Sequence, residues 1–112
     1  MSSRIAALVA TSITAALLMG LSSNALAGNP VRGLEISEVC QSCHGRDGNL
    51  ALQDDYPIIA GQHFSYLVHA LRAYRSGERD NAIMAGFARD LTDQDIRDLA
   101  AWYARQEGPL GP

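Results

Sequence analysis

Cys40-Gln41-Ser42-Cys43-His44 is the stretch from which the rest of the chain is best read. On one helical turn, positions three and four apart share a face. Cys40, Cys43 and His44 therefore present to one side of a single turn. Four chemistries use cysteines this close together. A short disulfide is open to an exported protein. A thioredoxin-like dithiol requires a βαβ setting, and no strand-like alternation occurs in this chain. A zinc site requires four ligands; Cys40, Cys43, His63 and His69 supply four, but His44 is then left without a role. The fourth is C-x-x-C-H, the spacing at which haem is attached covalently. The two thiols meet the two vinyl groups, and His44 lies beneath the ring, placed to bind iron.

Upstream, the chain supplies the compartment. Met1-Ser2-Ser3-Arg4 carries one positive charge, and an apolar run rich in Ala and Leu extends from Ile5 to Leu21. Ser22-Ser23-Asn24 follows, then Ala25-Leu26-Ala27. A charged start, an apolar middle and an A-x-A exit form a secretory leader. The competing reading is an uncleaved membrane anchor, against which Thr11, Ser12 and Thr14 dilute the run. The expected division is a signal peptide over 1–27, cleaved after Ala27, and one domain over 28–112. The expected compartment is a bacterial periplasm. No later apolar stretch is long enough to span a membrane.

The exported part has 85 residues. So small a chain rarely stabilises itself by its core alone and usually needs a staple or a metal. It contains eight arginines, no lysine and twelve acidic residues. No basic patch with interleaved aromatics appears, which argues against nucleic acid. A partner recognised by charge should present a positive face.

Downstream of the pentapeptide, the pattern is helical, with no internal repeat. A first helix over about Val31–Gln41 runs into the cysteines, with Leu34, Ile36 and Val39 as its buried candidates. The loop Gly45–Gly61 is rich in turn signals, and its length suits a segment wrapped around something. Phe64, Leu67, Val68, Leu71 and Tyr74 form one apolar stripe of a second helix, from about Gln62 to Ser76. Gly77 stands where a helix end favours positive φ. Thr92 caps a third helix, with Asp93 and Asp95 at its positive end and Ile96, Leu99, Ala100 and Tyr103 on its buried face. Gly77–Leu91 reads as a second long loop. The fold class is all-α, with three main helices and long loops.

If haem is bound, a second axial ligand decides between electron transfer and small-molecule binding. Met84 is the one methionine outside the leader, and it sits in the second loop. His63 and His69 are rivals, but they lie six apart and share no helix face. A thioether favours ferrous iron, so His/Met ligation raises the reduction potential relative to bis-His.

With Cys40-Gln41-Ser42-Cys43-His44-Gly45 come Pro57-Ile58-Ile59-Ala60-Gly61-Gln62, Tyr66-Leu67, Gly77-x-Arg79, Met84, and Leu91-Thr92-Asp93-Gln94-Asp95-Ile96 leading to Ala100-Trp102-Tyr103. In this order, over nearly all of Gly28–Gln106, the chain resembles the class I c-type cytochromes, especially the small single-haem bacterial ones. The resemblance implies the cytochrome c fold, wrapped around one covalently bound haem c. It implies that the Pro57 carbonyl accepts a hydrogen bond from His44, and that the first helix packs on the third, with Ile36 near Leu99 or Tyr103. Tyr66 and Arg79 are then expected near the haem or its propionates. The expected function is one-electron transfer between a redox donor and acceptor, such as an oxidase, a dehydrogenase or another cytochrome, with no substrate transformed. Permanent docking as the haem subunit of a larger periplasmic dehydrogenase is one alternative. A gas-binding haem protein is another, if Met84 does not ligate. The lack of lysine departs from the lysine-ringed docking face of mitochondrial relatives.

Overall fold

The computed structural model describes residues 26–112. The leader read over 1–27 lies outside the described residues save for its last two. The described part folds as five helices: α1 (Pro30–Ile36), α2 (Glu38–His44), α3 (Phe64–Ser76), α4 (Ala82–Ala88) and α5 (Asp93–Ala104). Among the described residues the one β-type contact is an isolated bridge between Gly108 and Gly111. None of the described helices is long and apolar enough to cross a membrane.

Each helix has a local cause. Asn29 opens α1: its side chain accepts from the N–H groups of Val31 and Arg32, with Pro30 in the first turn. The first helix expected from sequence is in fact two. At Ser37 the buried hydroxyl donates to the Leu34 carbonyl at 2.8 Å and accepts from the Gln41 amide at 2.9 Å. A serine bonding back to the preceding turn gives the backbone an alternative to helix continuation, and the helix breaks there. α2 restarts one residue later and ends on Gly45 at φ 81°. α3 begins at Phe64 rather than Gln62, and ends on Gly77 in the left-handed region at φ 84°. α5 opens with a reciprocal capping box between Thr92 and Asp95.

α5 is the spine. α1 and α3 pack against it, and α4 packs on α3. Ile96, Leu99, Ala100 and Tyr103 are all buried, as their spacing predicts. Leu67 joins Leu99, Ala100 and Tyr103 in one cluster, against which Ile36, Ile59 and Leu71 pack. The expected neighbourhood of Ile36, Leu99 and Tyr103 is therefore present. α1 approaches α5 closely because residue 33 is glycine: a Cβ there would run into the Asp98 carbonyl.

Asp98 locks this crossing. Its carboxylate, 1% exposed, accepts from the Asn29 amide at 2.6 Å, Arg32 Nη1 at 2.6 Å and Gln94 Nε2 at 2.8 Å. Burial, the largest single effect, pushes this carboxyl upward; the three donors together outweigh it and hold it below the usual carboxylate range.

The core is thin. Most of its buried apolar side chains are alanines, and among the described residues the large apolar side chains that are almost completely enclosed are Ile96, Leu99 and Tyr103. Val39, expected to be buried, is 55% exposed to solvent. It faces the cavity described next, not the protein core.

Candidate functional site

α2 brings Cys40, Cys43 and His44 to the wall of a cavity of about 420 Å³. That volume lies within the range of sites that enclose a small ligand. α3 supplies Tyr66, Leu67, Ala70, Leu71 and Tyr74 to another wall, and α5 supplies Leu99, Ala100 and Tyr103. α4 closes the far side with Ile83, Met84 and Phe87. Part of the apolar stripe read from the sequence is thus cavity wall. Phe64 and Val68 depart from it: they line a separate shallow groove with His69 and Arg72.

The loop from Gly45 to Gly61 is tied down along its length. The Ile59 and Ala60 amides both donate to the Gly48 carbonyl, the Gly61 amide donates to the Tyr103 carbonyl, and Trp102 Nε1 donates to the Arg46 carbonyl at 2.7 Å. This course delivers the Pro57 carbonyl to His44 Nδ1 at 3.0 Å. A carbonyl only accepts, so Nδ1 donates in this bond, and Nε2 is the ring nitrogen left to face the cavity's occupant. His44 is buried, and its ring orientation is fixed by that bond.

The two cysteines stand as free thiols. Burial pushes the Cys40 thiol up to about 11. A dithiol redox catalyst needs the opposite, a thiol whose pKa is lowered to expose thiolate. The zinc reading fails on placement: among the described residues no group of three or more His, Cys, Asp or Glu side chains is set to hold a metal. His63 and His69 do not line the cavity that holds Cys40, Cys43 and His44.

Met84 lines the same cavity, but on a helix rather than in a loop. The expectation of a structureless Gly77–Leu91 segment is corrected here. Asn81 caps α4, its side chain accepting from the Met84 amide at 3.0 Å. Sequence reading passed over Asn81, Ile83 and Phe87 as site residues. A signal existed: an asparagine followed by apolar Ile83, Met84, Phe87 and Ala88 at helical spacing. Seven residues with Gly86 among them made it too short to stand out.

Arg79 lines the cavity, its guanidinium carbon 4.7 Å from the Tyr74 ring centre and its Nη1 3.4 Å from the Tyr66 hydroxyl. The cavity gathers the residues that the resemblance assigned to the haem site, Cys40, Cys43, His44, Pro57, Tyr66, Arg79 and Met84, and leaves out the rivals His63 and His69. Its donors are two thiols, one imidazole nitrogen and one thioether, set in mostly apolar walls with a cation at the rim. Soft sulfur and imidazole donors suit iron held in a largely apolar macrocycle. The residues present fit haem c.

Residues 35–102 match the family described as "Cytochrome C oxidase, cbb3-type, subunit III". Cytochrome c-554(548) of Halomonas halodenitrificans is 40% identical over 84 residues, which cover 72% of this chain and 100% of that protein. Cytochrome c4 of Pseudomonas aeruginosa is 36% identical over 96 residues, covering 85% of this chain and 47% of the relative. The crystal structure of reduced recombinant cytochrome c4 from Pseudomonas stutzeri superposes with a TM-score of 0.68 at 34% identity, over 73% of this chain and 47% of that one. The chain thus spans the whole of one relative and about half the length of the cytochromes c4. Fold, cavity chemistry and kinship agree: the chain belongs to the class I c-type cytochromes, electron carriers that hold haem c covalently.

Proposed function

We propose that the chain is a periplasmic single-electron shuttle in which Cys40 and Cys43 would carry the haem through thioethers, and His44 and Met84 would bind its iron. The bond between His44 Nδ1 and the Pro57 carbonyl, made on the wall that also presents both thiols, carries this reading. It leaves Nε2 as a basic, oriented donor. Bound haem c supplies reversible one-electron chemistry between ferric and ferrous iron. Everything else falls to the chain. Leu67, Ala70, Leu71, Leu99 and Ala100 keep water from the site. Arg79, held against Tyr74 and Tyr66, offers a cation to the anionic propionates.

In this reading 1–27 is a leader removed after Ala27, and 28–112 is the functional domain. Donor and acceptor are redox proteins. The excess of acidic over basic residues favours a partner with a positive docking face.

The test is a pyridine haemochrome spectrum with the intact mass of the periplasmic protein. One haem c per chain, on a polypeptide starting at Gly28, is expected. Haem that separates from the denatured chain overturns the attachment, and a polypeptide retaining 1–27 overturns the cleavage. Carbon monoxide should leave the spectrum of the reduced protein unchanged; binding would favour the gas-binding alternative.

A further inference from the structure

Met84 stands on a short helix that its own length does not stabilise. α4 has only seven residues, Ala82–Ala88, well below the length at which a helix persists by itself. Ala88, near its C-terminal end, is completely buried, whereas Ile83 and Phe87 along it are about half exposed. The N-terminal end, where Met84 sits, is held by Asn81. The Asn81 backbone is extended, at φ −152° and ψ 110°. Its side-chain oxygen accepts from the Met84 amide at 3.0 Å, and its own carbonyl accepts from the Ala85 amide at 2.9 Å. One residue thus ties both the ligand candidate and the next position. Asn81 itself is fixed from behind, because the Arg79 amide donates to the Ala73 carbonyl at 3.1 Å and Arg79 lies over Tyr74.

We propose that Asn81 is a positioning residue for the methionine ligand: its side-chain cap on the Met84 amide holds the thioether in place and sets how readily Met84 leaves the iron. This rests on the reading of Met84 as axial ligand. With the cap lost, the first turn of α4 frays, and fraying carries Met84 away from the cavity. A good asparagine cap, when lost to alanine, shifts such an equilibrium about fivefold.

The test uses the ferric holoprotein and added imidazole, which competes with the thioether. Asn81→Ala should bind imidazole about fivefold more tightly than wild type and lose its sulfur-to-iron absorption band at correspondingly lower imidazole. Asn81→Ser, which keeps an oxygen acceptor at the cap, should stay near wild type. Loss of packing alone would move Ala and Ser together, so equal shifts in both variants overturn the proposal. So does an unchanged affinity in Asn81→Ala when wild type shows the band. A wild type without the band overturns instead the Met84 assignment beneath it. Should Asn81→Ala not accumulate, Asn81→Gly, a slightly weaker cap, should bind imidazole up to about twofold more tightly than Asn81→Ser, and equality overturns the proposal.

Discussion

Asp98 is a charged residue on the buried face of α5, beside Leu99. Its carboxylate is enclosed yet ionised because three donors converge on it from α1, from the residue that caps α1, and from its own helix. Its partner Arg32 is 44% exposed in its side chain. Removing Asp98 therefore does not strand a buried cation, which would cost about 3–5 kcal/mol. The expected loss for Asp98→Ala is nearer the value of charged hydrogen bonds, about 2–3 kcal/mol. The pH dependence has a definite sign. The folded carboxyl sits below its unfolded value of about 3.9. Its contribution is complete above that value and fades as pH falls through the folded one. Urea unfolding at pH 7 and pH 3 checks this: the gap between wild type and Asp98→Asn should be smaller at pH 3 than at pH 7. At this scale the sequence is legible where residues constrain one another. Cys40, Cys43, His44 and Met84 were narrowed by one another's presence, and all four line one cavity. Asp98 and Ser37 were not, because nothing in the sequence tells a buried aspartate or serine from a surface one.

Among elements, the informative contrast is between two glycines. Gly33 lies within α1, where a Cβ would meet the Asp98 carbonyl. Gly77 ends α3 at φ 84°, with nothing within 4 Å of its would-be Cβ. Alanine at Gly77 meets only the dihedral penalty, about 1–2 kcal/mol. Alanine at Gly33 pushes two helices apart and should reach or exceed the ~3 kcal/mol upper end of overpacking. Thermal melts of the two holoprotein variants check the order, and a Gly77→Ala change costlier than Gly33→Ala would contradict this picture of the crossing. The sequence announced α5 through its cap and stripe, and the end of α3 through Gly77. It concealed the break at Ser37, a local bend at a hydroxyl bonded to Leu34 and Gln41. It also concealed α4, whose short apolar pattern is stabilised by α3 and by Asn81 rather than by its own length.

For the molecule as a whole, the thin core and the cavity are one fact. A helical domain with a core of alanines, one enclosed isoleucine and the Leu67–Tyr103 cluster leaves an apolar space of about 420 Å³ between its helices. Haem completes that interior, and its binding free energy becomes folding free energy. The Cys40→Ala/Cys43→Ala double variant should therefore be largely unstructured. Far-ultraviolet circular dichroism checks it; wild-type helicity with a cooperative melt in that variant would contradict the dependence on haem. The need for a central group was legible from length alone, and the pentapeptide named the group. The course of the Gly45–Gly61 loop was not, because it is fixed by backbone bonds to Gly48 and Tyr103 that leave no mark on residue type.

The most direct test of His44/Met84 ligation is the long-wavelength absorption of the ferric protein beside that of Met84→Ala. A weak sulfur-to-iron charge-transfer band should be present in wild type and absent from the variant, with haem still covalently attached in both. A wild type without the band, or a Met84→Ala protein that retains it, would contradict that assignment.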